Sequence, residues 1–249
     1  MSLPVFIHLT LGEHEAGQVL SLSGPEARHA VTVKRVEVGE KIALVDGAGL
    51  RGELTVTAVE GKEVLQGRLE SLEIIDPPRP RVVIVQAIPK SDRAELAVDL
   101  ATQAGADEIV AWQSHRCIAK WDAKKALKAI GKWEAAAQSA AKQSRRAVIP
   151  SIRGPRSTVE IAQELKTAHA DGAEIYVLHE EATESIKTAP LTSEVVYLLI
   201  GPEGGIGEEE LAQLTDSGAV PIKLGPQVLR TASAGMVALS AIGVRTSRW

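Results

Sequence analysis

Two rhythms of apolar and polar residues divide the chain. Before residue 76 the apolar positions come in short runs cut by glycine: Val19–Leu22, Lys41–Asp46, the loosely alternating Arg51–Val59, and Val64–Leu72. Short runs of this kind, bounded by turn formers, predict strands. Glycines at 39, 47, 49, 52, 61 and 67 suit sharp connections. Several short strands so joined imply a small β-barrel or curled sheet. Glu26–Val36 reads as a short helix that sets His29, Lys34 and Arg35 near an edge.

The proline-rich Asp76–Pro80 is the best linker in the sequence, because adjacent prolines disfavour both ladders and helices. Beyond it, strand-like runs alternate with helix-like ones. Strands are expected at Val82–Ala87, Glu108–Ala111, Ala147–Ile149, Ile175–Leu178, Val195–Ile200 and Val220–Leu224. Helices are expected at Asp92–Ala104, Trp121–Ser144, Thr158–Ala168, Glu208–Asp216 and Val228–Ile242. Such alternation specifies an α/β domain with a mainly parallel sheet. The expected domains are therefore 1–76 and 77–249.

Composition adds bounds. A chain of 249 residues with 45% apolar and 24% charged residues has ordinary globular chemistry. Its longest apolar runs are far short of a membrane span, and the opening MSLPVFIHLT does not read as a secretory signal. The single cysteine, Cys117, excludes an intrachain disulfide and fits a reducing compartment, so a cytoplasmic protein with no membrane partner is expected. The formal net charge of -4 conceals a segregation: residues 1–76 carry 7 Lys/Arg against 12 Asp/Glu, whereas 112–156 carry 11 against 2. That basic stretch is either a solvated helix face or a polyanion-binding surface.

The candidate chemistry lies in two glycine-punctuated loops, LLIGPEGGIGEEE from Leu198 and LGPQVLRTASAG from Leu224, of which the first reads equally as an ordinary structural strand–turn–helix. Each follows a strand-like run, and in open parallel sheets ligands gather at the carboxyl ends of strands. Glycine permits close backbone approach, and Glu208–Glu210 fit the acidic first turn of a helix. Neither loop is a dinucleotide fingerprint or a phosphate-binding P-loop. Glu203 is open to four readings: backbone acceptor, interface partner, ligand-facing group or plain surface carboxylate. Arg230 suits an anion anchor or a directed donor to a substrate, and equally a helix-surface arginine or a structural ion pair. His29, His115, His169 and His179 lack metal-ligand spacing, so no metal is expected. A GxSxG nucleophile elbow is absent as well.

The paired phrases closely resemble the family of bacterial 16S ribosomal RNA uracil-N3 methyltransferases, of the knotted SPOUT superfamily. The similarity extends to Arg28-His29 through Gly39 and to Gln143-Ser144-Arg145-Arg146 before Pro150, and so covers most of the chain. The resemblance implies an N-terminal PUA-like β-barrel that binds RNA. It also implies a C-terminal α/β methyltransferase domain with a deep trefoil knot, S-adenosylmethionine as cofactor, and a homodimer. By resemblance, Leu178 and His179, then Ile200, Gly201, Pro202, Glu203, Gly204 and Gly205, then Leu224, Gly225 and Leu229 form three loops around a bent cofactor. Arg230 matches the family's arginine and is expected to orient the uracil or the cofactor carboxylate.

The implied reaction methylates N3 of a uracil in 16S ribosomal RNA of the small subunit. Positioning and stabilisation of charge on the uracil oxygens are then the catalytic duties. An arginine stays protonated and is a poor proton acceptor. Arg28, His29, Lys34, Arg35, Arg116 and Arg146 are the implied RNA contacts, with the other cations of 112–156, Arg153 and Arg156 included, as possible phosphate partners. Trp112, Trp121 and Trp133 suit stacking or core packing. The chain departs from the family at Ala232-Ser233, Gln103–Ala106 and Ala141-Lys142. Two other readings stand beside this one: methylation of another RNA nucleotide or a ribose, and a non-catalytic RNA-binding or ribosome-assembly protein.

Overall fold

The computed structural model describes residues 3–90 and 93–249. It divides into two compact units. One takes in the chain up to Pro77 together with Ala141–Ile149, and the other takes in Pro78–Ala140 and Pro150–Trp249.

In the first unit, β1 (Val5–Ile7), β2 (Val19–Ser23), β3 (Lys41–Val45), β4 (Leu50–Glu60) and β5 (Val64–Ile74) form one sheet in the order β1-β3-β4-β5-β2. Leu54 and Val56 of β4, and Leu65 and Leu69 of β5, are buried in alternation, the mark of a sheet with one covered face. Two register shifts between β4 and β5 add local bend. The helix expected over Glu26–Val36 is a short α1 (Gly24–Arg28) running into a π-helical turn at His29–Val33. A second apolar cluster of this unit joins Val5, Ile7, Ala43 and Val45 to Ala147, with Ile149 packed against it. The expected strand at Ala147–Ile149 is not one: Val148 makes only isolated bridges, to Gly47 and Ala48.

In the second unit, seven strands pair in parallel throughout: β6 (Arg81–Ala87), β7 (Glu108–Gln113), β8 (Ser151–Ser157), β9 (Glu174–Leu178), β10 (Glu184–Ser185), β11 (Val195–Ile200) and β12 (Val220–Lys223). Their order is β10-β12-β9-β11-β6-β7-β8. The helices are α2 (Ala94–Gln103), α3 (Ala123–Gln143, whose residues 141–143 belong to the first unit), α4 (Thr158–Ala170), α5 (Glu208–Thr215) and α6 (Thr231–Arg245). The expected start of α2 at Asp92 lies outside the described residues. Nearly continuous burial along β6, β7 and β11 means that both faces of the sheet are covered. Accordingly α2 and α6 pack together, with α6 over β6 and β11, while α4 packs on α5 and along β7, β8 and β9. Ser157 and Glu160 form a reciprocal capping box that starts α4 at the end of β8.

Two sequence readings shift here. The strand after α3 is Ser151–Ser157, further on than expected, and α6 begins at Thr231, not Val228. Leaving Val228–Arg230 outside the helix makes them available as a wall.

Candidate active site

Register fixes the site. Ile222 of β12 pairs with Leu178 of β9, which pairs with Ile200 of β11, so three adjacent parallel strands end at one level. The segments that leave these ends line a single cavity of about 650 Å³. Leu178 and His179 supply one wall, Ile200 to Gly205 a second, and Leu224, Gly225 and Leu229 a third. Arg230 and Arg116 line it too. The structure thus gathers every cofactor-loop residue read from the sequence around one space. Of the six residues read as RNA contacts, Arg116 alone lies there. Arg28, His29, Lys34, Arg35 and Arg146 lie in the first unit.

Each wall has a local cause. His179 donates its amide to the Ile222 carbonyl at 3.0 Å and accepts the Glu181 amide on Nδ1 at 3.3 Å, which turns the chain sharply off β9. In the second wall the Gly205 amide closes a turn on Pro202 O at 2.9 Å. Gly205 has φ +71, a region side chains disfavour, and a Cβ on Gly201 would stand 2.8 Å from Ile206 Cγ1. Glu203 is engaged as a backbone acceptor: Lys90 N donates to its Oε1 at 3.2 Å. In the third wall, Gly225 and Gln227–Arg230 donate no amide hydrogen to a carbonyl of the described residues. Arg230 is the N-cap of α6, and its carbonyl accepts the amides of Ser233 and Ala234. Among the described residues its guanidinium has no acceptor.

Several lining residues carry no motif that would have marked them. Arg93, Glu180 and Glu181 are among them, and their one common sign is position just after a parallel strand and its loop. Arg116 comes from the turn after β7 and donates through Nη1 to Gly204 O at 3.2 Å. Beside it, burial pushes the Cys117 thiol up, and Sγ lies 3.7 Å from Trp112 O; this cysteine is a packed thiol rather than a nucleophile. Trp112 and Trp133 are buried and belong to the core, Trp133 meeting Trp121 edge-on. Arg153 pairs with Glu108 and Glu164 and is held within the fold, whereas Arg156 meets Glu160 in an exposed pair. No group of three or more His, Cys, Asp or Glu able to hold a metal occurs among the described residues. Nor does any described helix have the length and apolarity to cross a membrane.

The space suits an adenosyl sulfonium. Its volume is in the range of small-ligand sites. Leu178, Ile200, Leu224 and Leu229 offer apolar cover, the unspent amides of the third wall offer donors to a purine edge, and Glu180 and Glu181 offer acceptors to hydroxyls or an ammonium.

Comparison with known proteins agrees in extent. Residues 77–243 match the family profile described as RNA methyltransferase domain, and residues 22–66 the one described as RNA methyltransferase PUA domain. Ribosomal RNA small subunit methyltransferase E of Mycobacterium bovis is 48% identical over 94% of this chain and 90% of its own. The protein of that name in Bacillus subtilis is 30% identical over 97% and 96%. Among solved structures, a methyltransferase of Legionella pneumophila in complex with bound SAM superposes with a TM-score of 0.83 at 28% identity, covering 98% of both chains. The ribosomal RNA small subunit methyltransferase E of Neisseria gonorrhoeae, at 22% identity, shares the fold with a TM-score of 0.86 over 98% of both.

Proposed function

The chain belongs to the RNA methyltransferase family that includes ribosomal RNA small subunit methyltransferase E, and we propose that it methylates N3 of a uracil in 16S ribosomal RNA of the small subunit. The observation that carries the proposal is the cavity at the aligned ends of β9, β11 and β12. Backbone groups from Ile200 to Gly205 and from Leu224 to Leu229 hold S-adenosylmethionine, with Leu178 and His179 on the third side. When bound, the cofactor supplies an electrophilic methyl group on a sulfonium.

The chain's own residues do the rest. Arg230 presents a guanidinium with no acceptor among the described residues to the same space, and serves as catalytic residue by donating to uracil oxygens as negative charge grows there. Because it stays protonated, it orients and stabilises rather than accepting the N3 proton. Glu203, through Lys90 N, ties the second wall to the loop before α2 and holds the pocket's shape.

The same reading assigns Arg28, His29, Lys34, Arg35 and Arg146 of the N-terminal PUA-like domain, residues 1–76 with the returning segment, to RNA phosphates, together with Arg116 of the methyltransferase domain. It also has the domain of residues 77–249 form a deep trefoil knot, a rare exception to unthreaded connection. Supporting it, β11 lies between β6 and β9, and Arg245 of α6 donates to Ile186 O in the segment after β9. The protein acts in the cytoplasm as a homodimer, for which exposed Met236, Val237 and Val244 on α6 offer an apolar face.

The test is transfer of labelled methyl from S-adenosylmethionine to small subunits lacking the mark, followed by nucleoside analysis. The expected product is N3-methyluridine. Label on a ribose, or on another base, would sink the uracil assignment.

A further inference from the structure

The cavity accounts for the glycine loops and leaves unexplained a buried carboxylate behind them. Glu210, in the first turn of α5, is 1% exposed. A carboxylate so deep is costly unless its lone pairs are satisfied. They are: Ser114 Oγ donates to Oε2 at 2.8 Å, the His115 amide donates to Oε1 at 3.0 Å, and Thr158 Oγ1 donates to Oε1. Thr158 itself accepts Trp112 Nε1–H at 3.1 Å. One side chain therefore pins the turn after β7 and the start of α4 to the start of α5.

The pinned turn is stiff by its own bonds as well. The Cys117 amide closes it on Ser114 O, and Lys120 Nζ caps Ser114 O and His115 O at 3.3 and 3.2 Å. Gln113 brackets it, its Nε2 donating to Ala119 O and its Oε1 accepting the Trp121 amide. The residue so presented is Arg116. Its Nη1 reaches Gly204 O, and its side chain lies against Gly204 and Gly207, where an added Cβ would stand 3.3 and 3.4 Å from it. An arginine has five donors, and this contact uses one of them. The guanidinium is exposed and borders the cavity.

We infer that Glu210 is a positioning residue that sets Arg116 across the Gly204 carbonyl, so that this guanidinium joins a phosphate of the RNA strand to the wall of the cofactor cavity. The inference rests on the RNA-methylating reading above. Glu210 touches neither ligand and acts through the turn; Arg116 makes the contact. The planar fork of arginine suits that double duty, since one edge can hold a carbonyl while the other faces a phosphate.

The experiment measures two quantities on small subunits lacking the methyl mark: the dissociation constant by filter binding, and KM and kcat for methyl transfer at saturating S-adenosylmethionine. Wild type is compared with Glu210→Ala, Arg116→Ala and the double variant. Each single change is expected to raise the dissociation constant and KM about tenfold, with kcat within about twofold. The double variant is expected to be no worse than Arg116→Ala, because the two act as a unit. Effects that multiply in the double variant, a fall in kcat with KM unchanged, or unchanged binding would each overturn the inference. Where Glu210→Ala does not fold, Ser114→Ala removes one strut of the same clamp; about a threefold weakening is expected, and wild-type binding overturns. A wild-type protein that binds subunits without methylating them defeats the functional reading alone, and the binding cycle still decides this one.

Discussion

Arg248 donates through Nη1 to Asp107 Oδ2 at 2.8 Å, and its side chain is only 2% exposed. The same guanidinium also donates to the carbonyls of Pro78, Pro80 and Gly105, and Asp107 Oδ2 accepts the Val82 amide at 2.8 Å. The end of the chain thus fastens the entry to β6 and the turn between α2 and β7.

Arg248→Ala removes the cation and leaves those acceptors buried. Breaking one side of a buried pair costs about 3–5 kcal/mol. Urea unfolding should show a loss of this order, and a loss below about 1 kcal/mol would mean that water replaces the guanidinium readily.

Arg230→Ala should behave in the opposite way. This side chain has no acceptor among the described residues, so melting should change little, while kcat for methyl transfer falls about 10²–10³-fold, as for loss of a directed donor to developing charge. An unchanged rate at saturating substrates would exclude Arg230 from catalysis.

Two glycines of the second wall should differ when changed to alanine. At Gly205, φ +71 with open space around it implies strain alone, about 1–2 kcal/mol of stability. At Gly201 the new Cβ would press on Ile206, which itself lines the cavity, so calorimetry should show weaker S-adenosylmethionine binding. Equal affinity in the two variants would contradict this distinction.

The basic stretch should split into two classes. Arg153 bridges Glu108 and Glu164, so Arg153→Met should destabilise by roughly 1–3 kcal/mol, the pair being partly exposed, and leave the salt dependence of RNA binding unaltered. Lys124 and Lys128 are exposed, and neither ammonium makes an ion pair among the described residues. Changing either to alanine should weaken RNA binding evenly and lower the salt slope by about 1. A slope that responds to Arg153 instead would reverse the assignment.

Stability should also fall in mild acid. Burial, and then the charge of His14, lowers the pKa of His8; burial, and then Lys142, lowers that of His29. A histidine whose folded pKa is depressed takes up its proton more readily when unfolded. Its contribution is therefore complete above its ordinary value of 6.5 and is lost as pH falls below it. Melting curves between about pH 7.5 and pH 5.5, roughly one pH unit either side of the ordinary histidine value, should show the decline, and His8→Gln should flatten it. A decline of the same steepness in that variant would assign the effect elsewhere.

The strand–helix alternation was legible because β6, β9 and β11 are apolar runs buried on both faces, and the glycine loops because each follows such a run. Ser151–Ser157 does not read as a strand for a physical reason. It is an edge strand, where Gly154 and Pro155 are tolerated although they read as loop. The apolar pattern starts α6 at Val228, ahead of its true start at Thr231, because Val228 and Leu229 continue that pattern while facing the cavity. Nothing in spacing marks Glu210, since its partners come from residues 114, 115 and 158.

The return of Ala141–Ile149 to the first unit carries a consequence for how the molecule is made. Val5, Ile7, Ala43 and Val45 are translated early, but Ala147 and Ile149, which cover them, follow about a hundred residues later. A nascent chain that has emerged only as far as Pro77 still shows that apolar patch to its surroundings. The order of synthesis and the order of folding therefore part company: the segment made first is finished only after the early strands of the second unit have left the ribosome.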